Sequence, residues 1–461
     1  MGMKHDLLVR IVKSLNIIAV TIPFFCCCFV YYMPKLYSDN FYQIENIIII
    51  ILFIILYAVF SRIYDAFHLS LQRISELTYS QMLAAFFADS IMGVIFSLLR
   101  HELIAVLPLF LCFLAQAAFS ALWSLLAHRW YFRTFPPLRT VIIYNQKEKM
   151  EDLISAYGME IKFNVVKTCS VQECLETQLS VIDDTIQTVF IYDIHSHERN
   201  KILKYCLAHH IIAYVIPSTG DLIMSSARTM HMFHLPMLRV ERCRPVPEYM
   251  ILKRLFDLLV SGTALLLLSP LMLLIALAVK SDGGAVFYQQ TRLTRNGKTF
   301  RILKFRSMCP DAEADGIPRL SAGEQDDRIT KTGKFLRRFR LDELPQLINI
   351  LKGDMSVVGP RPERPEIARE YEKQLPDFRL RLQVKAGLTG YAQVYGKYNS
   401  SPYDKLQMDL MYIAHPSMIQ DIKICFATVK TLFMPESTEG IPEHAVNAAP
   451  EDSGKNQNNI S

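Results

Sequence analysis

The chain has 461 residues, of which 51% are hydrophobic and 20% are charged, and its formal net charge is +6. The hydrophobic residues are concentrated in a few long segments, which predicts an integral membrane protein with two or more domains. The basic cluster between Arg292 and Arg340 is explained as well by anionic headgroups or substrate phosphates as by nucleic acid, and we predict no nucleic-acid partner.

The ten cysteines show no paired spacing, and Cys26 to Cys28 are consecutive within a hydrophobic segment. Reduced thiols behave as small hydrophobic side chains in such positions. The pattern therefore predicts neither a disulfide framework nor a zinc site.

Four hydrophobic segments near the N-terminus are long enough to cross a bilayer. They cover approximately residues 14–33, 46–64, 82–99 and 103–127, and the third contains Asp89. Three further segments after the first argue against a cleaved signal peptide. We predict a multi-pass, four-helix transmembrane bundle over residues 1–134.

Basic residues precede the first segment and follow the second and the fourth, whereas the other two loops carry only Lys35 and Arg100. Because positive residues prefer the cytosolic side, both ends of the bundle are predicted to face the cytosol. The chain that follows, up to about residue 250, is predicted to lie on the same side.

From residue 140 onward, strand patterns alternate with helix patterns. Strands are predicted at 140–144, 162–166, 187–192 and 211–216, and helices at 147–157 and 198–209. This alternation favours a parallel sheet, so we predict a Rossmann-like α/β domain over residues 135–245. A dinucleotide site needs a glycine-rich turn after the first strand, and the turn at 145–149 has no glycine, which favours a structural or regulatory domain.

A second hydrophobic region covers residues 255–279, and basic residues on both flanks give it no outward direction. Ser269 and Pro270 interrupt its middle, where proline removes a backbone donor. We therefore predict a re-entrant membrane helix at about 253–280 that bends and returns to its own side, with the Ser269 hydroxyl as a candidate partner for the interrupted backbone. A proline-kinked spanning helix is the alternative, and it would place the next domain outside the cytosol.

The following segment is predicted to be mostly soluble. Strand-like residues at 286–293 and 299–305 flank Asn296 and Gly297, a pair that favours a tight hairpin. The segment 333–340 combines basic and apolar residues, which suits either an anionic membrane face or a solvated amphipathic helix.

Asp342 and Glu343 form an adjacent acid pair followed by helical spacing of leucine and isoleucine. The simplest interpretation is an aspartate helix cap beside a solvated glutamate. Nearby cations instead favour a phosphoryl-transfer centre, in which an aspartate can act as nucleophile and a carboxylate usually holds magnesium. The candidate phosphate-binding cations are Lys304, Arg306, Arg337 and Arg361.

Six motifs in this order resemble those of the bacterial sugar transferases, the monotopic polyprenyl-phosphate glycosyl-1-phosphate transferases. They are Lys253 and Arg254 with Asp257, Ser269 with Pro270, KFRSM at 304–308, LDELPQ at 341–346, GDMSVVGPRP at 353–362 and GLTG at 387–390. The resemblance identifies residues 246–434 as a catalytic domain. The upstream regions resemble those of the large members, which start exopolysaccharide, capsule or O-antigen synthesis. Residues 435–461 are predicted to form a disordered tail.

The resemblance implies transfer of a sugar-1-phosphate from a UDP-sugar, by default UDP-glucose or UDP-galactose, to polyprenyl (undecaprenyl) phosphate, with release of UMP. It implies that Asp342 attacks the sugar-bearing phosphate and holds the phosphosugar covalently. It further assigns Mg²⁺ to Glu343, the nucleotide phosphate to Arg361, and the helix break to Ser269 and Pro270. The implied location is the bacterial cytoplasmic membrane, with the catalytic domain on the cytosolic face, and a homodimer is compatible with the large N-terminal region.

Three positions depart from the family pattern, and two of them, Arg340 and Lys397, leave the sugar preference open. Arg340 replaces a common small polar residue, Thr294 replaces a glycine, and Lys397 replaces an arginine. One alternative function is a non-catalytic membrane scaffold or regulator of polysaccharide export. Another is a nicotinamide-dependent sugar-modifying enzyme that uses the α/β domain.

Overall fold

The computed structural model describes residues 2–32, 34, 43–145, 150–177, 179–183, 185–243, 245–309, 328–396 and 401–432. Lys397, the tail at 435–461 and most of the glycine-free turn at 145–149 lie outside these residues. The chain divides into two compact units, Met1–Ile216 and Pro217–Ser461.

The first unit begins with four long apolar helices. They are α1 at Gly2–Cys27, which continues as a π-helical turn at Cys28–Tyr32, α2 at Gln43–Ile63, α3 at Ile74–Arg100 and α4 at Val106–Thr134. Each has a segment long and apolar enough to cross a membrane. The apolar N-terminal helices predicted from the sequence are therefore confirmed, and they fit a membrane protein.

Polar side chains connect these four helices on their inner faces. Tyr57 of α2 donates to Asn16 of α1 at 2.8 Å, and Asn16 donates to Gln81 of α3 at 3.0 Å. Gln116 of α4 donates to the Asp89 carboxylate of α3 at 3.4 Å, and Asp89 is only 5% exposed. Asp89 therefore faces neighbouring helices, as expected for a carboxyl group in an apolar segment.

A parallel four-stranded sheet completes the first unit. Its strands are β1 at Leu138–Tyr144, β2 at Phe163–Ser170, β3 at Thr188–Tyr192 and β4 at Ile212–Val215, in the order β2-β1-β3-β4. The described helices between them are α5 at Met150–Ala156, α6 at Val171–Glu176 and α7 at Ser196–Ala208. The alternating pattern thus correctly predicts the parallel sheet, whose central strands bury Val141, Ile143, Val189 and Ile191.

The second unit opens with α8 at Thr219–Ser225 and an antiparallel hairpin of β5, Arg228–Met232, and β6, Leu235–Arg239. The long apolar helix α9 follows at Pro247–Ser281. Pro270 lies inside it, and the helix continues through this residue without a loop. The Pro270 nitrogen cannot bond the Leu266 carbonyl, and the Ser269 hydroxyl donates to that carbonyl at 2.8 Å instead. The serine therefore supplies the missing donor, as predicted, while the re-entrant path stays a prediction.

A C-terminal α/β domain follows α9 and confirms that part of the predicted fold class. Its elements are β7 at Phe287–Leu293, β8 at Thr299–Phe305, α10 at Lys331–Arg338, α11 at Gln346–Lys352, β9 at Ser356–Val358, α12 at Pro365–Gln374, β10 at Gly387–Thr389, α13 at Tyr391–Tyr395, α14 at Pro402–Ala414 and α15 at Met418–Leu432. Strands β7 and β8 form the predicted hairpin, with Asn296 and Gly297 at positive φ in its turn.

Buried polar contacts anchor the start of α9 to this domain. Asp257, 3% exposed, accepts from the Val357 amide at 2.9 Å and from the Ser356 hydroxyl at 3.0 Å, both in β9. Lys253 pairs with Asp421 of α15 at 2.9 Å. A buried carboxylate without such partners would cost several kcal/mol, so these contacts fix where α9 leaves the domain.

Candidate active site

The acid pair lies in one 3-10 turn, Leu341–Glu343, between α10 and α11. Because α11 begins at Gln346 and its N-cap position is Pro345, Asp342 does not cap that helix, and the cap interpretation is wrong. The turn is fixed by an apolar cluster at the end of α9. Its buried members are Ile275, Val279, Phe305 and Leu336, and Leu341 and Leu344 pack against them. The acid pair therefore sits directly beside the end of a hydrophobic helix.

Two cations share one oxygen of Glu343. Lys304 of β8 lies 2.8 Å from Glu343 Oε1, and Arg361, which follows β9, lies 2.9 Å from the same atom. Burial opposes ionisation of Glu343, but Arg361 and Lys304 outweigh it and hold its pKa well below the usual range. Glu343 is therefore a carboxylate at any ordinary pH.

Asp342 has a different environment, although it is the next residue. It is 8% exposed, and its carboxyl group has no hydrogen bond or ion pair with any residue that the structure describes. Burial raises the pKa of Asp342, and the charge of Lys304 opposes this rise only in part. The two adjacent carboxyl groups thus differ in both partners and acidity, as expected where they have different roles.

The acidity of Asp342 predicts the pH dependence of any reaction in which its carboxylate attacks. Its folded-state pKa is raised, so protonation removes the nucleophile at a higher pH than for an ordinary aspartate, whose pKa is about 3.9. We expect the single-turnover rate to fall as the pH decreases through this raised pKa. A rate that stays flat down to about pH 4 would contradict this assignment.

The other two predicted cations do not contact the carboxylates. Arg337 donates through Nε to the Ser307 hydroxyl at 2.9 Å, and its charge is close enough to lower the pKa of Asp342 against the effect of burial. Arg306 donates to the Val279 carbonyl in the last turn of α9 at 3.1 Å, and its buried Nε has no hydrogen-bond partner among the residues that the structure describes. Arg306 therefore binds the C-terminal end of α9, where a cation is favourable.

Long-range contacts that the sequence does not reveal position Arg361. Arg381 donates to the Arg361 carbonyl at 3.0 Å and pairs with Asp409 of α14 at 2.7 Å. Gly387 donates to the Pro360 carbonyl at 2.9 Å, and a Cβ at Gly359 would lie 2.3 Å from the Lys385 carbonyl oxygen. The backbone that presents Arg361 is thus held from two sides.

The acid pair is not part of a closed metal site among the residues that the structure describes. Among the described residues, no group of three or more His, Cys, Asp or Glu side chains could hold a metal ion. Mg²⁺ commonly takes only one or two protein carboxylates and completes its shell with water and substrate phosphates. Glu343, whose Oε1 pairs with two cations, is the carboxylate that would hold a magnesium ion shared with a phosphate ligand.

Gly333 in α10 determines how closely this helix approaches the site. A Cβ there would lie 2.0 Å from the Ser307 carbonyl oxygen, and Ser307 is the partner of Arg337. We expect Gly333→Ala to destabilise the protein by about 1–3 kcal/mol through overpacking, measured by thermal unfolding in detergent. Gly220→Ala is the matched control, because its Cβ would meet only the Ser218 hydroxyl at 3.8 Å. Equal melting temperatures for the two variants would show that α10 can move away freely.

The fold and the site together define a membrane protein whose α/β domain presents an acid pair and several cations beside a long apolar helix. The model of the bacterial sugar transferase family matches residues 248–435, the segment that contains all of these features. The chain also covers 83% of a shorter relative at 40% identity. Together, the two findings show that the chain belongs to the bacterial sugar transferase family.

Three relatives illustrate the similarity. The chain is 36% identical over 239 residues to a UDP-N-acetylgalactosamine-undecaprenyl-phosphate N-acetylgalactosaminephosphotransferase of Aeromonas hydrophila, covering 51% of this chain and 55% of that protein. It is 44% identical over 185 residues to the UDP-glucose:undecaprenyl-phosphate glucose-1-phosphate transferase of Escherichia coli (strain K12), covering 39% of each. It is 40% identical over 192 residues to the exopolysaccharide production protein ExoY of Rhizobium meliloti, covering 38% of this chain and 83% of that protein. The chain thus spans about half the length of the Aeromonas relative and less of the Escherichia coli one.

Proposed function

We propose that this protein transfers a sugar-1-phosphate from a UDP-sugar to polyprenyl phosphate, most simply undecaprenyl phosphate, and releases UMP. The contrast within the acid pair carries this proposal. Glu343 is held ionised by Lys304 and Arg361, whereas Asp342 is buried and has no partner among the described residues. The names of the relatives support the same reaction class, and they include both glucose and N-acetylgalactosamine transfer.

In the proposed first step, the Asp342 carboxylate attacks the sugar-bearing phosphorus, and the bond from that phosphorus to the UMP oxygen breaks. UMP leaves with the bonding electron pair, and an aspartyl phosphosugar remains. In the second step, an oxygen of the polyprenyl phosphate attacks the same phosphorus, the bond to Asp342 breaks, and the carboxylate is regenerated. Lys304, Arg337 and Arg361 offset negative charge on the phosphates. Mg²⁺ held by Glu343 would supply further charge neutralisation on the diphosphate.

The proposal places the second unit on one side of the membrane, with α9 as a re-entrant helix. Two contacts far apart on α9 support this path, since Asp257 bonds β9 and Val279 packs against Phe305 at the end of β8. These residues would be separated by roughly 33 Å along a straight helix, about the hydrocarbon thickness of a bilayer. A spanning helix could not have both ends on one soluble domain. We further propose a four-helix transmembrane bundle for α1 to α4 and a cytosolic active site in the bacterial inner membrane.

The direct test is UMP release by the purified protein with Mg²⁺ and polyprenyl phosphate, screened over a set of UDP-sugars. We expect release with at least one donor, with UDP-glucose and UDP-galactose tested first, and loss of turnover on chelation of Mg²⁺. No release with any donor would favour a non-catalytic scaffold of polysaccharide export. Tight binding of NAD in equilibrium dialysis would instead favour a nicotinamide-dependent enzyme.

A further inference from the structure

Arg340 has an unusual backbone conformation immediately before the acid pair. It has φ 52° and ψ 24°, in the left-handed region. A residue with a Cβ pays about 1–2 kcal/mol for this conformation, and such residues persist where the surrounding structure or a function requires them. The amide of Glu343 donates to the Arg340 carbonyl at 3.2 Å, so the strained residue is part of the turn that carries the acid pair.

The Arg340 side chain differs from the other cations near the site, because it has no hydrogen-bond or ion-pair partner in the part of the chain that the structure describes. Lys304 and Arg361 pair with Glu343, Arg306 bonds a carbonyl of α9, and Arg337 bonds Ser307. The Arg340 guanidinium is half-buried and makes no hydrogen bond or ion pair with the residues that the structure describes. Burial and the nearby charge of Arg361 lower the pKa of Arg340, and the charges of Glu343 and Asp342 oppose this only in part. A half-buried cation that makes no direct ion pair would gain from an incoming anion.

The neighbours of Arg340 indicate where such an anion comes from. Helix α10 ends at Arg338, and its Phe335 side chain is 58% exposed. Phe339, directly before Arg340, is 49% exposed and lies 5.0 Å from Phe335 between ring centroids. Exposed paired aromatics beside basic residues suit an anionic lipid surface. Arg340 therefore lies at the point where this apolar surface ends and the acid pair begins.

We propose that Arg340 binds the phosphate of the polyprenyl acceptor and positions it for the second step of the transfer. The proposal rests on the proposed function. The donor diphosphate is the other possible source of the anion. The acceptor is favoured because Lys304 and Arg361 already lie at Glu343, on the nucleotide side of the proposed reaction, whereas Arg340 adjoins the aromatic pair. Arg340 is thus assigned as a specificity-determining contact for the lipid substrate.

The test uses Arg340→Asn in the full-length protein, because asparagine tolerates the left-handed conformation and the variant is expected to fold. We expect the KM for polyprenyl phosphate to rise at least about 10-fold, whereas the single-turnover burst of UMP without acceptor is unchanged. Arg340→Lys should restore part of the affinity. Arg338→Asn is the comparison, because it removes the same charge from the end of α10.

Several results would overturn the assignment. A similar rise in KM for Arg338→Asn would mean general attraction of the lipid by positive charge. A rise in the KM for the UDP-sugar instead would assign Arg340 to the donor, and unchanged constants would leave it without a substrate contact. Absence of UMP release by the unsubstituted protein would refute the proposed function itself, and the role of Arg340 with it.

Discussion

Asp342→Asn is expected to reduce UMP release by at least about 10³-fold, the scale seen when a covalent nucleophile is removed. Asparagine keeps the size of the side chain but lacks the negative oxygen that attacks phosphorus. The measurement is UMP release in single-turnover and steady-state assays, with a UDP-sugar labelled in the sugar. The unsubstituted protein should also retain label in the absence of acceptor, in a bond that hydroxylamine cleaves, and the variant should not.

The control for this variant is Asp377→Asn, the same change at an exposed position of the same domain. It should leave the rate within about 2-fold, as expected for a surface substitution. UMP release by Asp342→Asn at the rate of this control would refute the nucleophile assignment. Loss of activity with retained covalent label would assign Asp342 to the second step only.

The melting temperature of Asp342→Asn distinguishes a loss of chemistry from a loss of fold. Burial raises the pKa of Asp342 in the folded protein above its value in the unfolded chain. The stabilising contribution of this group is therefore complete below the unfolded pKa and is lost as the pH rises through the folded pKa. At pH 7 the ionised carboxylate is a net cost, so Asp342→Asn should melt at a higher temperature than the unsubstituted protein. At acid pH the two melting temperatures should converge.

The sequence predicts the features that depend on local patterns. Hydrophobic length indicates the long helices, alternation of strands and helices indicates the parallel sheet, and Asn296 with Gly297 indicates the β7–β8 hairpin. Each signal is carried by one continuous stretch of the sequence, so no tertiary information is needed. The acid pair is predictable in the same way, because Asp342 and Glu343 are neighbours in one motif.

Features that depend on distant residues were not predictable in this way. No local pattern links Arg381 to Asp409 or to the Arg361 carbonyl, although these contacts position the cation beside Glu343. The helical spacing after Asp342 suggested a cap, but Pro345 delays the start of α11 and a 3-10 turn intervenes. The sequence places Pro270 in the middle of an apolar segment, but only the structure shows that α9 continues through this residue. Local patterns therefore predict the helices, the strands and the candidate site residues, whereas long-range packing determines which of these residues contact one another.

Arg381→Met is expected to lower the free energy of unfolding by about 3–5 kcal/mol, the cost of leaving one partner of a buried ion pair uncompensated. Arg381 and Asp409 are 4% and 1% exposed, so water cannot replace the lost partner. The measurement is thermal or denaturant unfolding in detergent. The KM for the UDP-sugar should also rise, because the Arg361 carbonyl loses its donor and the guanidinium beside Glu343 is less well positioned.

The double variant Arg381→Met, Asp409→Leu distinguishes these two effects. Replacing both charges by apolar groups of similar size removes the buried Asp409 carboxylate. Glu363, which lies 3.5 Å from Arg381, keeps Arg292 at 4.0 Å as a partner, so most of the lost stability should return. The Arg361 carbonyl still lacks its donor, so the KM for the UDP-sugar should stay raised. If stability and KM recovered together, the pair would act on the site only through the fold. If neither recovered, the cost of Arg381→Met would lie in its other contacts rather than in Asp409. These are the Phe378 ring at 4.8 Å and the Glu363 carboxylate at 3.5 Å.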